Sequence, residues 1–190
     1  MDHLSKFLKA LIVVDVQNDF CPGGALAVDK GDKIIPRINK LLAIDDWLRV
    51  GTRDWHPKNH ISFEKQGGMW PEHCVEESKG AQFHNFLYDH LFDKVVSKGR
   101  DESLEAYSGF QGTELTKILK EHRVNKVFIC GLATDYCVRA TAIDARKEGF
   151  EVVLISDCVE SVNIQKSDGE RALKEMAEFG CVILHSTNLE

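Results

Sequence analysis

Six short apolar runs punctuate the chain, at residues 11–16, 47–51, 95–97, 127–130, 152–155 and 182–184. Each is nearly continuous rather than alternating, the pattern of strands buried on both faces of a parallel sheet. Apolar positions recur at helical spacing between several of them. Ile34, Ile38, Leu41 and Leu42 share one face after Asp32, and Leu115, Ile118, Leu119 and His122 share one after Thr113. Val138, Ala142 and Ala145 follow Thr134, with Gly149 as the C′ stop, and Leu173, Met176 and Ala177 follow Ser167, ending at Gly180. Strands alternating with helices predict an α/β sandwich with helices on both sheet faces. No repeat, low-complexity tract or linker interrupts the pattern, which predicts one domain over residues 1–190.

Residues 54–85 break the rhythm. This stretch is rich in His, Gly, Pro and aromatics and has no clear period. A loop of that length in a compact domain is usually functional or disordered, and its Trp, Phe and His content argues against disorder.

In open α/β sheets ligands bind beyond the carboxyl ends of the strands. Asp15 ends the first run, Asp54 follows the second, Lys98 ends the third and Cys137 follows the fourth, so four chemically capable residues converge on one edge. Thr134 reads as the N-cap of the helix that carries Cys137, which places the thiol in the first turn, where free N–H groups and the helix dipole favour a thiolate. Asp15, Cys137 and Lys98 then suit a base, a nucleophile and a positioning cation. The plain alternatives are a small buried Cys, a turn-capping Asp and a Lys in an ion pair. Asp54 and His56, at i and i+2 in extended chain, point the same way and can share a metal, which His60 or His73 can complete. Scattered, solvated loop histidines are the alternative. Phe20, Trp70, Tyr107 and Tyr136 lie near these motifs and can wall a pocket for a flat ring, or serve as ordinary core aromatics.

Composition narrows the classes. Hydrophobic residues make 43% and charged residues 28%, an ordinary soluble composition, and the formal net charge of −6 without a basic run argues against nucleic acid as a partner. The N-terminal apolar stretch 10–14 is too short for a signal h-region and runs into Asp15, and no window reaches transmembrane length, so no membrane partner and a cytoplasmic location are expected. The 6 Cys include no CxxC pair and read as reduced thiols. No GxGxxG or P-loop signals a nucleotide.

Five segments together resemble a known family: DVQNDFCPGGALAV at 15–28, TRDWHPKNHISF at 52–63, WPEHCV at 70–75, KG followed by AYSGF at 98–110, and GLATDYCVRATAIDA at 131–145. In order and spacing they are similar to the nicotinamidase/pyrazinamidase family, a metal-containing branch of the isochorismatase-like hydrolases. The resemblance implies a three-layer α/β/α sandwich around a six-stranded, mostly parallel, Rossmann-like sheet. It implies deamidation of nicotinamide to nicotinate and ammonia in NAD salvage, and of pyrazinamide, through a thioester. The roles it implies are Asp15 as proton acceptor, Lys98 as third triad member, Cys137 as nucleophile, and the Ala133 and Cys137 N–H groups as oxyanion hole, after a cis Leu132–Ala133 peptide. It implies one divalent metal ion on Asp54, His56 and His73, zinc first, with iron or manganese as alternatives. His60, Ser62 or Glu64 is left open as a further ligand. Phe20, Leu26, Trp70, Tyr107 and Tyr136 would pack the substrate ring. Homo-oligomerisation is left open.

Four other readings compete, one of them an isochorismatase proper, which acts on a vinyl ether and needs no metal. An amidohydrolase for a carbamoyl or ureido substrate would keep the triad without needing the Asp54/His56/His73 set. A silent α/β binding module would show no thiol reactivity at Cys137. A zinc-stabilised structural domain would unfold on chelation.

Overall fold

The computed structural model describes residues 9–189. Its centre is a sheet of strands β1 (Lys9–Val14), β2 (Leu48–Asp54), β3 (Lys94–Lys98), β4 (Lys126–Leu132), β5 (Glu151–Glu160) and β6 (Val182–Leu184), in the order β3-β2-β1-β4-β5-β6. Every adjacent pair is parallel. Helices α1 (Ile35–Leu42), α2 (Leu115–Glu121), α3 (Arg139–Lys147) and α4 (Asp168–Glu178) complete the architecture.

Side chains alternate across each strand, and here both faces are apolar. Ala10, Ile12 and Val14 of β1 pack in one core with Leu115 and Leu119 of α2, Ala142 and Ala145 of α3, and Ala172 and Met176 of α4. Leu11 and Val13 face the other way, into a core with Ile35, Ile38, Leu41 and Leu42 of α1. The result is a three-layer sandwich. Full burial of one such aliphatic side chain contributes about 1.5–3 kcal/mol, so each layer is anchored several times over. Among the described residues no helix is long and apolar enough to cross a membrane.

The boundaries differ from the apolar runs in informative ways. The first strand stops at Val14, because Asp15 takes a left-handed φ of 49° that extended pairing does not accommodate. β5 continues beyond its apolar run to Glu160, through an irregular register opposite Ile129 and Gly131. Thr134 is not an N-cap. It begins a π turn (Thr134–Val138) preceded by extended Ala133, no side chain caps the turn, and the buried Thr134 hydroxyl has no partner among the described residues. The wide turn closes through Val138 N–H on Ala133 O at 3.1 Å, and α3 follows.

Residues 55–93 connect β2 to β3 with only short 3₁₀ turns, at Glu64–Gln66 and Asp89–Leu91. Hydrogen bonds order the stretch: His56 N–H donates to Cys74 O (2.9 Å), Glu76 N–H to His56 O (2.8 Å) and Trp70 N–H to Ser62 O (3.0 Å). Buried Gln17 ties it to the sheet. Its amide donates to Asp54 O and Ala81 O and accepts from Asp54 N–H, each at 2.8 Å.

β1 lies between β2 and β4, where the strand order reverses. The crevice beyond the carboxyl ends of these two strands is the topological switch point at which such sheets bind ligands. Asp15 follows β1 and Cys137 follows β4 across that crevice.

Candidate active site

Lys98, the last residue of β3, is fully buried and sits at the centre of the site. Its Nζ lies 2.9 Å from Asp15 Oδ2, donates to Asp54 Oδ1 and to Ala106 O (3.3 Å), and stands 3.5 Å from Cys137 Sγ. Burial alone would lower the ammonium pKa, but Asp15, Asp54 and Cys137 outweigh it and hold Lys98 well above its ordinary range. Lys98 is a permanent cation here, not a proton acceptor.

Asp15 receives the Thr52 hydroxyl on Oδ1 at 2.7 Å. Lys98 is paired with Oδ2 outside hydrogen-bond alignment, so Oδ2 keeps a lone pair free. Burial pushes the Asp15 carboxyl above its usual range; Lys98 pulls it down and Asp54 pushes it up again. Burial likewise drives the Cys137 thiol well up, against the pull of Lys98, with Asp15 and Asp54 adding to the rise. Burial thus works against the thiolate that the helix terminus favours. The sulfur of buried Cys137 faces two carboxylates, a setting in which the thiol hands its proton to a base as it reacts.

Asp54 belongs to two clusters at once. Oδ1 takes Lys98, while Oδ2 faces His56 Nε2 at 3.4 Å and His73 Nε2 at 3.9 Å. The ligand atoms of Asp54, His56 and His73 all lie within 4.8 Å of one another, and all three residues are buried. The donor set fits a divalent ion for a second reason. His56 Nδ1 pairs with Gly99 O at 2.8 Å and His73 Nδ1 with Pro71 O at 2.7 Å. A carbonyl accepts only, so each Nδ1 carries the proton and each Nε2 presents a lone pair inward. The three further candidates stand apart from the cluster. His60 stacks on His56 (centroids 4.1 Å), but its nitrogens are taken by the Ser62 hydroxyl (2.7 Å) and Leu104 O (3.0 Å), and burial pushes its pKa down to about 4. Ser62 is thus engaged by His60, and Glu64 is exposed.

Phe20, Leu26, Trp70, Tyr107 and Tyr136 all line one pocket that opens onto Cys137, Ala133, Asp54 and His73, with about 490 Å³ of space including its mouth. Trp70 Nε1 donates to Tyr107 Oη at 3.0 Å, and Trp70 meets Tyr136 edge-on at 5.1 Å, which fixes three walls against one another. The Leu132–Ala133 peptide is cis. Among the described residues, neither the Ala133 nor the Cys137 N–H donates to a carbonyl outside its own turn.

Sequence reasoning missed several participants. Thr52 and Gln17 sit inside or beside apolar runs, where a polar residue reads as a strand edge. Asp135 accepts from Val162 and Asn163 N–H (2.9 and 2.8 Å), pinning the Cys137 turn to the segment after β5. Glu105 and Val162 also line the pocket.

A basic residue, a carboxylate and a thiol at the switch point, beside a carboxylate–dihistidine cluster, invite comparison with known proteins. The family model described as Isochorismatase domain matches residues 9–187. The chain belongs to the isochorismatase family. It is 38% identical to the nicotinamidase of Escherichia coli, over 92% of this chain and 93% of that protein. Among solved structures it is similar to the pyrazinamidase of Pyrococcus horikoshii in complex with zinc, at 51% identity and a TM-score of 0.88, covering 94% of this chain and 99% of that one. An L. infantum protein in complex with nicotinate superposes with a TM-score of 0.92 at 38% identity, covering 98% and 96%. The E. coli and P. horikoshii relatives are thus a nicotinamidase and a pyrazinamidase.

Proposed function

We propose that this chain hydrolyses nicotinamide to nicotinate and ammonia, and accepts pyrazinamide, through a thioester on Cys137. The observation that carries the reading is the double role of Asp54. It joins the Asp15–Lys98–Cys137 group to a carboxylate–dihistidine cluster inside a pocket walled by aromatic rings. The nicotinate complex and the zinc complex of the two similar proteins support the ligand class and the ion.

In this reading Asp15 Oδ2 takes the Cys137 proton as sulfur attacks the carboxamide carbon. Lys98 stays protonated throughout, holding the carboxylate in place and lowering the cost of the passing thiolate. The Ala133 and Cys137 N–H groups receive the oxyanion, a contribution of about 3–4 kcal/mol per donor in comparable sites. The tetrahedral adduct collapses as Asp15 returns its proton to the departing nitrogen, and ammonia leaves. Asp15, again a carboxylate, then draws a proton from water as the water attacks the thioester. Collapse expels the Cys137 thiolate, which regains that proton, and the nicotinic acid formed departs as nicotinate, its proton passing to solvent. Asp54, His56 and His73 would hold a divalent ion, zinc by first choice, which would supply Lewis-acid binding for the substrate, while the aromatic walls orient the carboxamide toward the sulfur.

Acid quenching during turnover, followed by mass spectrometry, should find a nicotinoyl group on Cys137. Cys137→Ala should stay folded, carry no adduct and lose activity. Retention of even a tenth of the wild-type rate by Cys137→Ala would remove the thioester.

A further inference from the structure

We infer that Thr52 is the positioning residue for the proton acceptor, and that Gly109 and Thr141 tie its placement to the helix that carries the nucleophile. The inference rests on the nicotinamidase reading for its substrate and on geometry for the rest.

Thr52 is fully buried in β2, paired in register with Val14, the residue before Asp15. It holds Asp15 twice. The Asp15 N–H donates to Thr52 O at 3.1 Å, and the Thr52 hydroxyl donates to Asp15 Oδ1 at 2.7 Å. Both grips matter. The left-handed φ of Asp15 is uncommon for a non-glycine residue, though Asp adopts it more readily than most, and the backbone bond to Thr52 holds it there. The terminal torsion of an Asp side chain is broad and nearly two-fold, so it needs an external partner to choose an orientation. With Oδ1 fixed by Thr52, Oδ2 is the oxygen turned to Lys98 and left without a hydrogen bond, the one free for a thiol proton.

The other end of Thr52 leads to the nucleophile. Its methyl packs on Gly109, where a Cβ would lie 3.0 Å from Thr52 Cγ2 and 3.6 Å from Thr141 Cγ2. Gly109 N–H donates to the buried Thr141 hydroxyl at 2.9 Å. Thr141 lies one turn beyond Cys137 on the same continuous helical segment. Two threonines thus clamp the backbone of one glycine, and the chain of contacts runs from the carboxylate of Asp15 to the helix of Cys137. A core filler would need the methyl groups alone; here the Thr52 hydroxyl meets the Asp15 carboxylate and the Thr141 hydroxyl holds the Gly109 N–H.

The test compares Thr52→Val, which keeps the shape and removes the hydroxyl, with Thr52→Ser, which keeps the hydroxyl and removes the methyl. Two readouts are taken on metal-loaded protein: steady-state nicotinamide hydrolysis, and the rate at which iodoacetamide alkylates Cys137, followed by mass spectrometry. A displacement of the order of 1 Å at a reacting group can cost about 100-fold. Thr52→Val should lower kcat at least about tenfold with KM held within about twofold, and slow alkylation at least about fivefold. Thr52→Ser should stay within about threefold of wild type on both. If Thr52→Val does not fold, Thr52→Ala against Thr52→Ser reads the same contrast. Wild-type rates in Thr52→Val, or equal losses in Val and Ser, would overturn the inference. Because alkylation needs no substrate, it judges Thr52 even if the wild-type protein proves to act on another amide, an outcome that would strike the functional reading alone.

Discussion

At the residue scale the site is built on shared groups. Lys98 contacts both carboxylates and the thiol, and Asp54 divides its two oxygens between Lys98 and the histidines. Burial without such pairing would cost several kcal/mol per charge. The histidines are held by their outer nitrogens, which makes His56 a sharp test. His56→Ala removes a proposed ligand whose orientation Gly99 O has already fixed. Purified His56→Ala should hold clearly less metal than wild type, with kcat/KM down at least about tenfold; metal analysis of both proteins checks this, and unchanged content would remove His56 from the ligand set. Asp15, Lys98 and Cys137 were legible because each stands at or just past an apolar run, where side chains reach the sheet edge. The protonation state of Cys137 was not legible. A helix start argues for a thiolate, while burial first, and then the neighbouring Asp15 and Asp54 carboxylates, push the thiol the other way against Lys98.

At the element scale the strand and helix pattern was readable wherever apolar spacing set it. α1 and α4 fall where Ile38 and Leu41, and Leu173 and Met176, share a face. The π turn before α3 was not readable, because Thr134 has the composition of a cap and its hydroxyl caps nothing. The length of β5 was hidden too, since Ser156 and Asp157 read as the end of a strand. Asp157 instead fastens the last 3₁₀ turn. It accepts from Ser186 N–H (2.7 Å) and Ser186 Oγ (2.6 Å), with Arg37 and His185 each 3.5 Å away. Burial would raise this carboxyl, but the Ser186 hydroxyl and N–H hold it below its ordinary 3.8. A carboxyl depressed in the folded state stabilises above its unfolded pKa and loses that contribution as pH falls through the folded value. Asp157→Asn should therefore cost about 1–2 kcal/mol at neutral pH, and the gap should close well below pH 4. Denaturant melts of both proteins at pH 7 and in acid would show this; equal stability at pH 7 would dismiss the clasp.

At the scale of the whole molecule, two apolar layers close on a parallel sheet, and the chemistry sits at their edge, at the switch point between β1 and β4, with Cys137 packed into one layer and Phe20 and Ala133 into the other. The layered α/β architecture was legible because continuous apolar runs alternate with helical faces. The path of residues 55–93 was not, because it is ordered by individual hydrogen bonds, such as those of Gln17, and by no periodic pattern. Because two extensive apolar cores hold the sheet and helices together without it, the ion would be catalytic rather than structural: removing it should silence the enzyme and leave the fold standing. The most direct measurement is ammonia release from nicotinamide by metal-loaded protein, by chelated protein and after metal add-back, with far-UV circular dichroism on each sample. The account predicts release that disappears on chelation and returns with zinc, iron or manganese, over an unchanged spectrum. No release from the metal-loaded protein, or full release from protein shown to be stripped of metal, would contradict it.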